Sequence, residues 1–183
     1  MASVDKNTAN WRLFGGGGLL VGGLLWTLAA LLGQAGVSAD LTKWLGIIGL
    51  IVVAIGFFLV AWGQTGSNGA VGKNVVGKVG LWAAAIGTLL WAVLPLFTAL
   101  TTTWVWVIAA LLVLGTLLAA VAIMQNGTAK GLAKWMMFLV FLLALLFFLG
   151  VTGLVSALAN WVVGLVFAIV VALTGLIYLL NKK

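Results

Sequence analysis

Long apolar runs separated by short polar interruptions set the pattern of this chain. The runs occupy about 13–33, 44–63, 79–99, 104–124, 135–155 and 161–180. A helix rises 1.5 Å per residue, so ~20 apolar residues cross the ~30 Å hydrocarbon core of a bilayer. Each run therefore predicts one membrane-spanning helix. The division between the last two rests on "SALAN" at 156–160. A single helix from 135 to 180 would be about 69 Å long, too long for any bilayer, so a hairpin is required. The expectation is an all-α polytopic membrane protein, with residues 1–183 forming one transmembrane domain.

The polar interruptions carry an asymmetric charge. Asp5, Lys6 and Arg12 precede span one, and Lys73 and Lys78 fall between spans two and three. Lys130 and Lys134 lie between spans four and five, and Lys182 and Lys183 end the chain. With six spans these all share one side; the other side has Asp40 and Lys43. Loops rich in Lys and Arg stay in the cytoplasm. The pattern thus predicts a multipass protein of the cell's inner (plasma) membrane with both termini cytoplasmic. Tryptophans fit this map as interfacial anchors. Trp11, Trp62, Trp82 and Trp135 fall near cytoplasmic ends, and Trp44, Trp104, Trp106 and Trp161 near outer ends. Trp26 and Trp91 lie deeper, where packing against neighbouring helices is the first reading and stacking on a ligand the second. Arg12, the first apolar run and "VSA" before Asp40 also have the form of a cleavable signal peptide. Removing that run would leave five spans and an outside N-terminus, and span one is retained.

Composition narrows the chemistry further. Hydrophobic residues make up 65% of the 183 positions and charged residues 6%, which fits lipid rather than water as the solvent. There is no cysteine and no histidine, and Asp5 and Asp40 are the two carboxylates. Thiol nucleophiles, His–metal sites, paired-carboxylate hydrolysis and haem ligation by His are excluded, so neither an enzyme nor a cofactor is expected. The net charge of +7 reads as a topology signal, not as a nucleic-acid surface. No span holds an ionisable residue of the kind that relays protons or coordinates ions. What remains in the bilayer is hydroxyls such as Thr27, Thr88, Thr116 and Thr174, which usually bond back to their own helix. Proton- and sodium-coupled transport are disfavoured; a passive path for neutral molecules is not.

The loop at about 64–78 is the longest polar segment. Its "GAVGKN" lacks both the spacing and the Ser/Thr of a phosphate loop. It reads as a solvated cytoplasmic loop. Lys73, Lys78, Lys130 and Lys134 are its candidate contacts, with the neighbouring loop, to anionic lipid headgroups. "NGT" at 126–128 matches a glycosylation acceptor but falls on the cytoplasmic side.

Small residues supply the strongest motif. "FGGGGLLVGG" (14–23) opens span one, where Gly15, Gly18 and Gly22 would share one helical groove and Gly16 and Gly23 a second. Gly49, Gly56 and Gly63 recur every seven residues in span two, and Gly115, Ala119 and Ala122 mark span four. Span six has Gly164, Ala168, Ala172 and Gly175. Close backbone approach along such stripes drives helix association in lipid. Packing within the chain is the first reading and a homo-oligomer the second. Span five, "MMFLVFLLALLFFLG", is bulky on every side and predicts a lipid- or partner-facing helix.

Short outer loops pair the spans as hairpins over about 11–64, 77–125 and 130–181. The first two units share "GGLLW" (22–26) and "GTLLW" (87–91), and Gly56, Gly115 and Gly175 align in the second helices. The expectation is six transmembrane helices in three degenerate hairpin repeats. Three two-helix units in about 180 residues, with Gly49-x6-Gly56 in a second helix, resemble the HdeD-like membrane proteins. That resemblance implies a bacterial membrane protein of acid or general stress resistance and supplies no catalytic residues. The family often places proline near the outward end of each unit's first helix, and here only Pro95 fits. Ile108 and Ala168 replace the first glycine of the later units. Two other functions stay open. One is an accessory or structural subunit of a larger membrane complex, docking through span five or Trp104 and Trp106. The other is a passive channel or carrier for a small neutral solute or lipid.

Overall fold

The computed structural model describes residues 11–62, 69–126 and 129–181. All of its regular structure is helical. A π-helical turn, Trp11–Gly16, leads into α1 (Gly17–Gln34), followed by α2 (Ala39–Trp62) and α3 (Val75–Val93). Then come α4 (Thr102–Asn126), α5 (Ala133–Val151) and α6 (Trp161–Leu180). All six are long and apolar enough to cross a membrane, which makes the chain a multipass membrane protein in contact with the bilayer.

Local chemistry sets the helix ends. The Asn74 side chain accepts from the Gly77 amide at 3.0 Å, and the Asn160 side chain accepts from the Val163 amide at 3.1 Å. Each satisfies one of the donors left open at a helix start. Pro95 sits in a 3-10 turn, Leu94–Leu96, that ends α3. Several boundaries differ from the sequence expectation: α2 starts at Ala39 rather than 44, and α3 ends at Val93 rather than 99. The helix expected over 135–155 stops at Val151, because Gly153 takes φ +78°, a left-handed conformation natural to glycine at a helix end. The loop expected over 64–78 ends at Asn74, so Lys78 is already helical. Its stretch from Gly69 to Val71 is not solvated: Ala70 and Val71 are fully buried, and the Ala70 amide donates to the Val60 carbonyl at 2.9 Å.

Each helix packs against its neighbours in sequence, and α6 returns to pack against α1. The six helices thus form a closed ring. The first and last described residues, Trp11 and Asn181, lie at one end of it, the terminal end; the opposite is the distal end. Packing is most extensive in α1–α2 and α3–α4 and least in α5–α6.

Small residues make the close seams. A Cβ on Gly22 would stand 2.6 Å from the Gly49 carbonyl oxygen, and one on Gly18 would stand 2.9 Å from Gly56 Cα. Gly15 abuts Val60 in the same seam. The other face of α1 meets α6, where Gly16 lies against Gly175 and Gly23 against Ala172. In α3–α4, Gly80 and Gly115 meet backbone to backbone. The aligned glycines therefore do not have equivalent neighbours. Gly56 and Gly115 face their own hairpin partner, whereas Gly175 faces α1 across the ring. Gly164 instead makes room for the Phe147 ring of α5, and Ala168 is fully buried. Gly63 of the span-two stripe lies outside the described residues.

A clasp closes the ring at the terminal end. The Arg12 guanidinium donates to the Asn181 carbonyl, and the Asn181 side-chain amide donates to the Lys130 carbonyl at 3.2 Å. The start of α1, the end of α6 and the α4–α5 loop are joined in this way. Trp11 belongs to the clasp and is not an exposed anchor. It is only 2% exposed and meets the buried Tyr178 ring edge-on at 5.4 Å. The remaining seven expected anchors, Trp44, Trp62, Trp82, Trp104, Trp106, Trp135 and Trp161, are exposed.

Candidate functional site: a distal vestibule over an aromatic centre

The inward faces of α1 and α3 are built alike. Leu19, Gly22, Gly23, Trp26 and Ala29 recur at helical spacing on α1, as do Leu81, Ala84, Thr88 and Trp91 on α3. Small residues below let the helices converge, and the indoles of Trp26 and Trp91 fill the wider space above. Trp26 meets Phe167 of α6 edge-on at 5.3 Å. Trp91 meets Phe147 and Phe148 of α5 at 5.8 and 5.6 Å, also edge-on. Phe147 joins Phe148 at 5.2 Å and Phe167 at 5.8 Å. Five rings from four helices thus form one continuous cluster in the geometry aromatic pairs prefer.

The cluster surrounds a central cavity of about 20 Å³ to which all six helices contribute. Thr88 contributes the one hydroxyl in its wall, and that hydroxyl donates to the Ala84 carbonyl at 2.8 Å. Thr27, Thr116 and Thr174 spend their hydroxyls in the same way, on the carbonyls of Gly23, Leu112 and Val170. A buried water needs two to four polar partners, and this cavity presents none.

Above it, between α1, α2 and α3, a vestibule of about 480 Å³ opens at the distal end. Trp26, Leu50 and Trp91 line both spaces, forming the vestibule floor and part of the cavity wall. Ala29, Ala30, Gly33 and Gly46 widen it, Pro95 closes one side, and Gln34, Thr42 and Lys43 give the upper part its polarity. The Thr42 hydroxyl is committed to the Ala39 carbonyl at 3.0 Å, and Lys43 is exposed. The arrangement suits a molecule with an apolar body. Chemically it offers one cation and no nucleophile, and no metal-ligating group of His, Cys, Asp or Glu occurs among the described residues.

Sequence reasoning singled out Trp26 and Trp91 but not Leu50 or the three phenylalanines. Phe147 and Phe148 were hidden because span five reads as bulky on every side. In the structure α5 does have an inner face: Met137, Val140, Ala144 and Phe148 are buried at steps of three and four. Ala144, the one small residue inside that bulky run, was the available signal. The expected headgroup contacts all lie at the terminal end, Lys73 and Lys130 exposed and Lys78 and Lys134 half-buried, away from the vestibule.

No family model, curated protein or solved structure matches this chain.

Proposed function

We propose that this chain is a non-enzymatic protein of the plasma (inner) membrane that receives the apolar body of a small neutral or lipid-like solute in its distal vestibule. In this reading it binds or carries the solute and does not conduct ions. One observation carries the proposal: a space of about 480 Å³, within the range of small-molecule sites, floored by Trp26, Leu50 and Trp91. The dry aromatic centre beneath supports uptake without a water path. A non-catalytic role is supported by the chain's two carboxylates and its lack of cysteine and histidine. The resemblance to HdeD-like proteins supports an envelope-stress setting.

Binding is testable with a brominated fatty alcohol, which quenches tryptophan emission on contact. Purified protein should show a saturable quenching component that the unbrominated alcohol displaces. The double variant Trp26→Phe/Trp91→Phe should lose that component while keeping its helix content. Quenching that never saturates, or that the double variant retains in full, would remove the vestibule from consideration.

In the proposed orientation both termini face the cytoplasm. Arg12, Lys73, Lys78, Lys130 and Lys134 at the terminal end against Lys43 at the distal end support it. A reporter active only outside the cytoplasm should be silent when fused after Lys183 and active when inserted in the α3–α4 loop. The reverse pattern would invert the topology.

A second reading, an accessory subunit of a membrane complex, is supported by a groove of about 190 Å³ between α4 and α5. Exposed Trp106, Leu114 and Leu154 line it on the outside of the ring.

A further inference from the structure

The outward seam of α2 and α3 differs from the rest of the ring surface. On α3, Lys78, Trp82, Ile86 and Leu89 follow one another at steps of four, four and three. Antiparallel to them on α2 run Trp62, Phe58, Ile55 and Ile51, at steps of four, three and four. Between the two rows Ala54 and Ala85 are small enough to leave a lateral groove of about 250 Å³. Its walls are apolar and lipid-facing, since Ile55, Ile86 and Leu89 are exposed.

At its terminal end the groove meets a cluster of three exposed rings. Phe58 lies 5.2 Å from Trp62 and 6.1 Å from Trp82, and the two indoles are 5.5 Å apart. Amphipathic indoles such as those of Trp62 and Trp82 sit at the level of lipid headgroups. One turn beyond Trp82 stands Lys78, and the exposed Lys73 follows in the preceding loop. The order along the seam is therefore cation, aromatic cluster, apolar groove.

Length fits the same order. Leu89 lies eleven positions beyond Lys78, which is roughly 16 Å of helix. Half of the hydrocarbon core is roughly 15 Å. The seam thus spans one leaflet, from headgroup to midplane. The α4–α5 groove has no such order: it lies toward the distal end, where Lys43 of α2 is the basic residue among those described.

We infer that the α2–α3 seam is a binding site for one anionic phospholipid of the leaflet at the terminal end. Its phosphate faces Lys78 and Lys73, its glycerol region rests on Phe58, Trp62 and Trp82, and one acyl chain lies in the groove over Ala54 and Ala85. Charge complementarity and the one-leaflet length select this occupant over a partner helix.

Native mass spectrometry of the full chain in mild detergent tests the assignment, with phosphatidylglycerol or phosphatidylcholine added. One phosphatidylglycerol should be retained at about a tenfold lower lipid concentration than phosphatidylcholine. Lys73→Gln/Lys78→Gln should bring the two lipids level, whereas Lys130→Gln/Lys134→Gln should leave the preference intact. Ala85→Leu, which fills the groove, should weaken retention of both lipids; Trp82→Ala, at an exposed position, serves the same purpose if the leucine variant does not fold. Equal retention of the two lipids by the unaltered chain would overturn the site, leaving only general lipid coating. A preference that survives Lys73→Gln/Lys78→Gln, or that vanishes with the Lys130/Lys134 pair, would overturn it as well.

Discussion

Replacing Gly175 by leucine should break the ring between α1 and α6 and cost the protein its folded state in mild detergent. The reason is geometric. Even a Cβ at Gly175 would stand 2.2 Å from the Leu20 amide nitrogen and 2.4 Å from the Gly16 carbonyl oxygen. Both are backbone atoms and cannot rotate away. Overpacking of side chains usually costs about 1–3 kcal/mol; moving two helices apart exceeds that. Lipid offers little hydrophobic drive to offset the loss, because the separated faces are as well solvated by acyl chains as by each other. Gly17→Leu provides the control, since nothing lies within 4 Å of its Cβ position. Thermal unfolding followed by light scattering should show Gly17→Leu near the unaltered chain and Gly175→Leu aggregated or without a cooperative transition. A Gly175→Leu protein as stable as Gly17→Leu would mean that α6 does not close against α1.

That seam also shows where the sequence was informative. Spans are legible because each must be about 20 apolar residues long, a constraint set by the bilayer and not by the rest of the protein. Glycine spacing in span one describes two helical faces, and α2 and α6 occupy them. The identity of the second neighbour is not written in that spacing. Any helix with small residues would serve, and Gly175 aligns with Gly56 and Gly115 although it faces a different partner. The ends of α5 and α3 were misplaced for a different reason. Gly153 and Asn74 act through backbone conformation and capping, and single residues of that kind are weak beside a run of leucines. Trp26 and Trp91 stood out from the sequence because they lie deeper in their spans than the interfacial tryptophans. Phe147, Phe148 and Phe167 did not, because in a helix that is apolar all round no periodicity separates the inside from the lipid side.

Trp91→Ala tests whether the centre of the ring is closed by packing or by polar gating. The indole touches Phe147 and Phe148 and lines both the vestibule and the central cavity, so its removal should merge the two spaces. Deleting a large buried aromatic costs about 3–5 kcal/mol. Trp91 is half-buried, and the loss should fall at the lower end of that range. The central part of the enlarged space remains apolar, because Thr88 keeps its hydroxyl on Ala84. Dry cavities of this kind accept benzene rather than water. A ligand that binds only the folded state at 100 times its Kd stabilises it by about 2.7 kcal/mol. Benzene should therefore raise the Tm of Trp91→Ala by more than it raises that of the unaltered chain. In proteoliposomes neither protein should leak potassium or protons, since removing an indole supplies no group that replaces an ion's hydration. If Trp91→Ala conducted ions and ignored benzene, the floor of the vestibule would be the gate of a wet pore, and the reading of a closed, solute-holding bundle would fall with it.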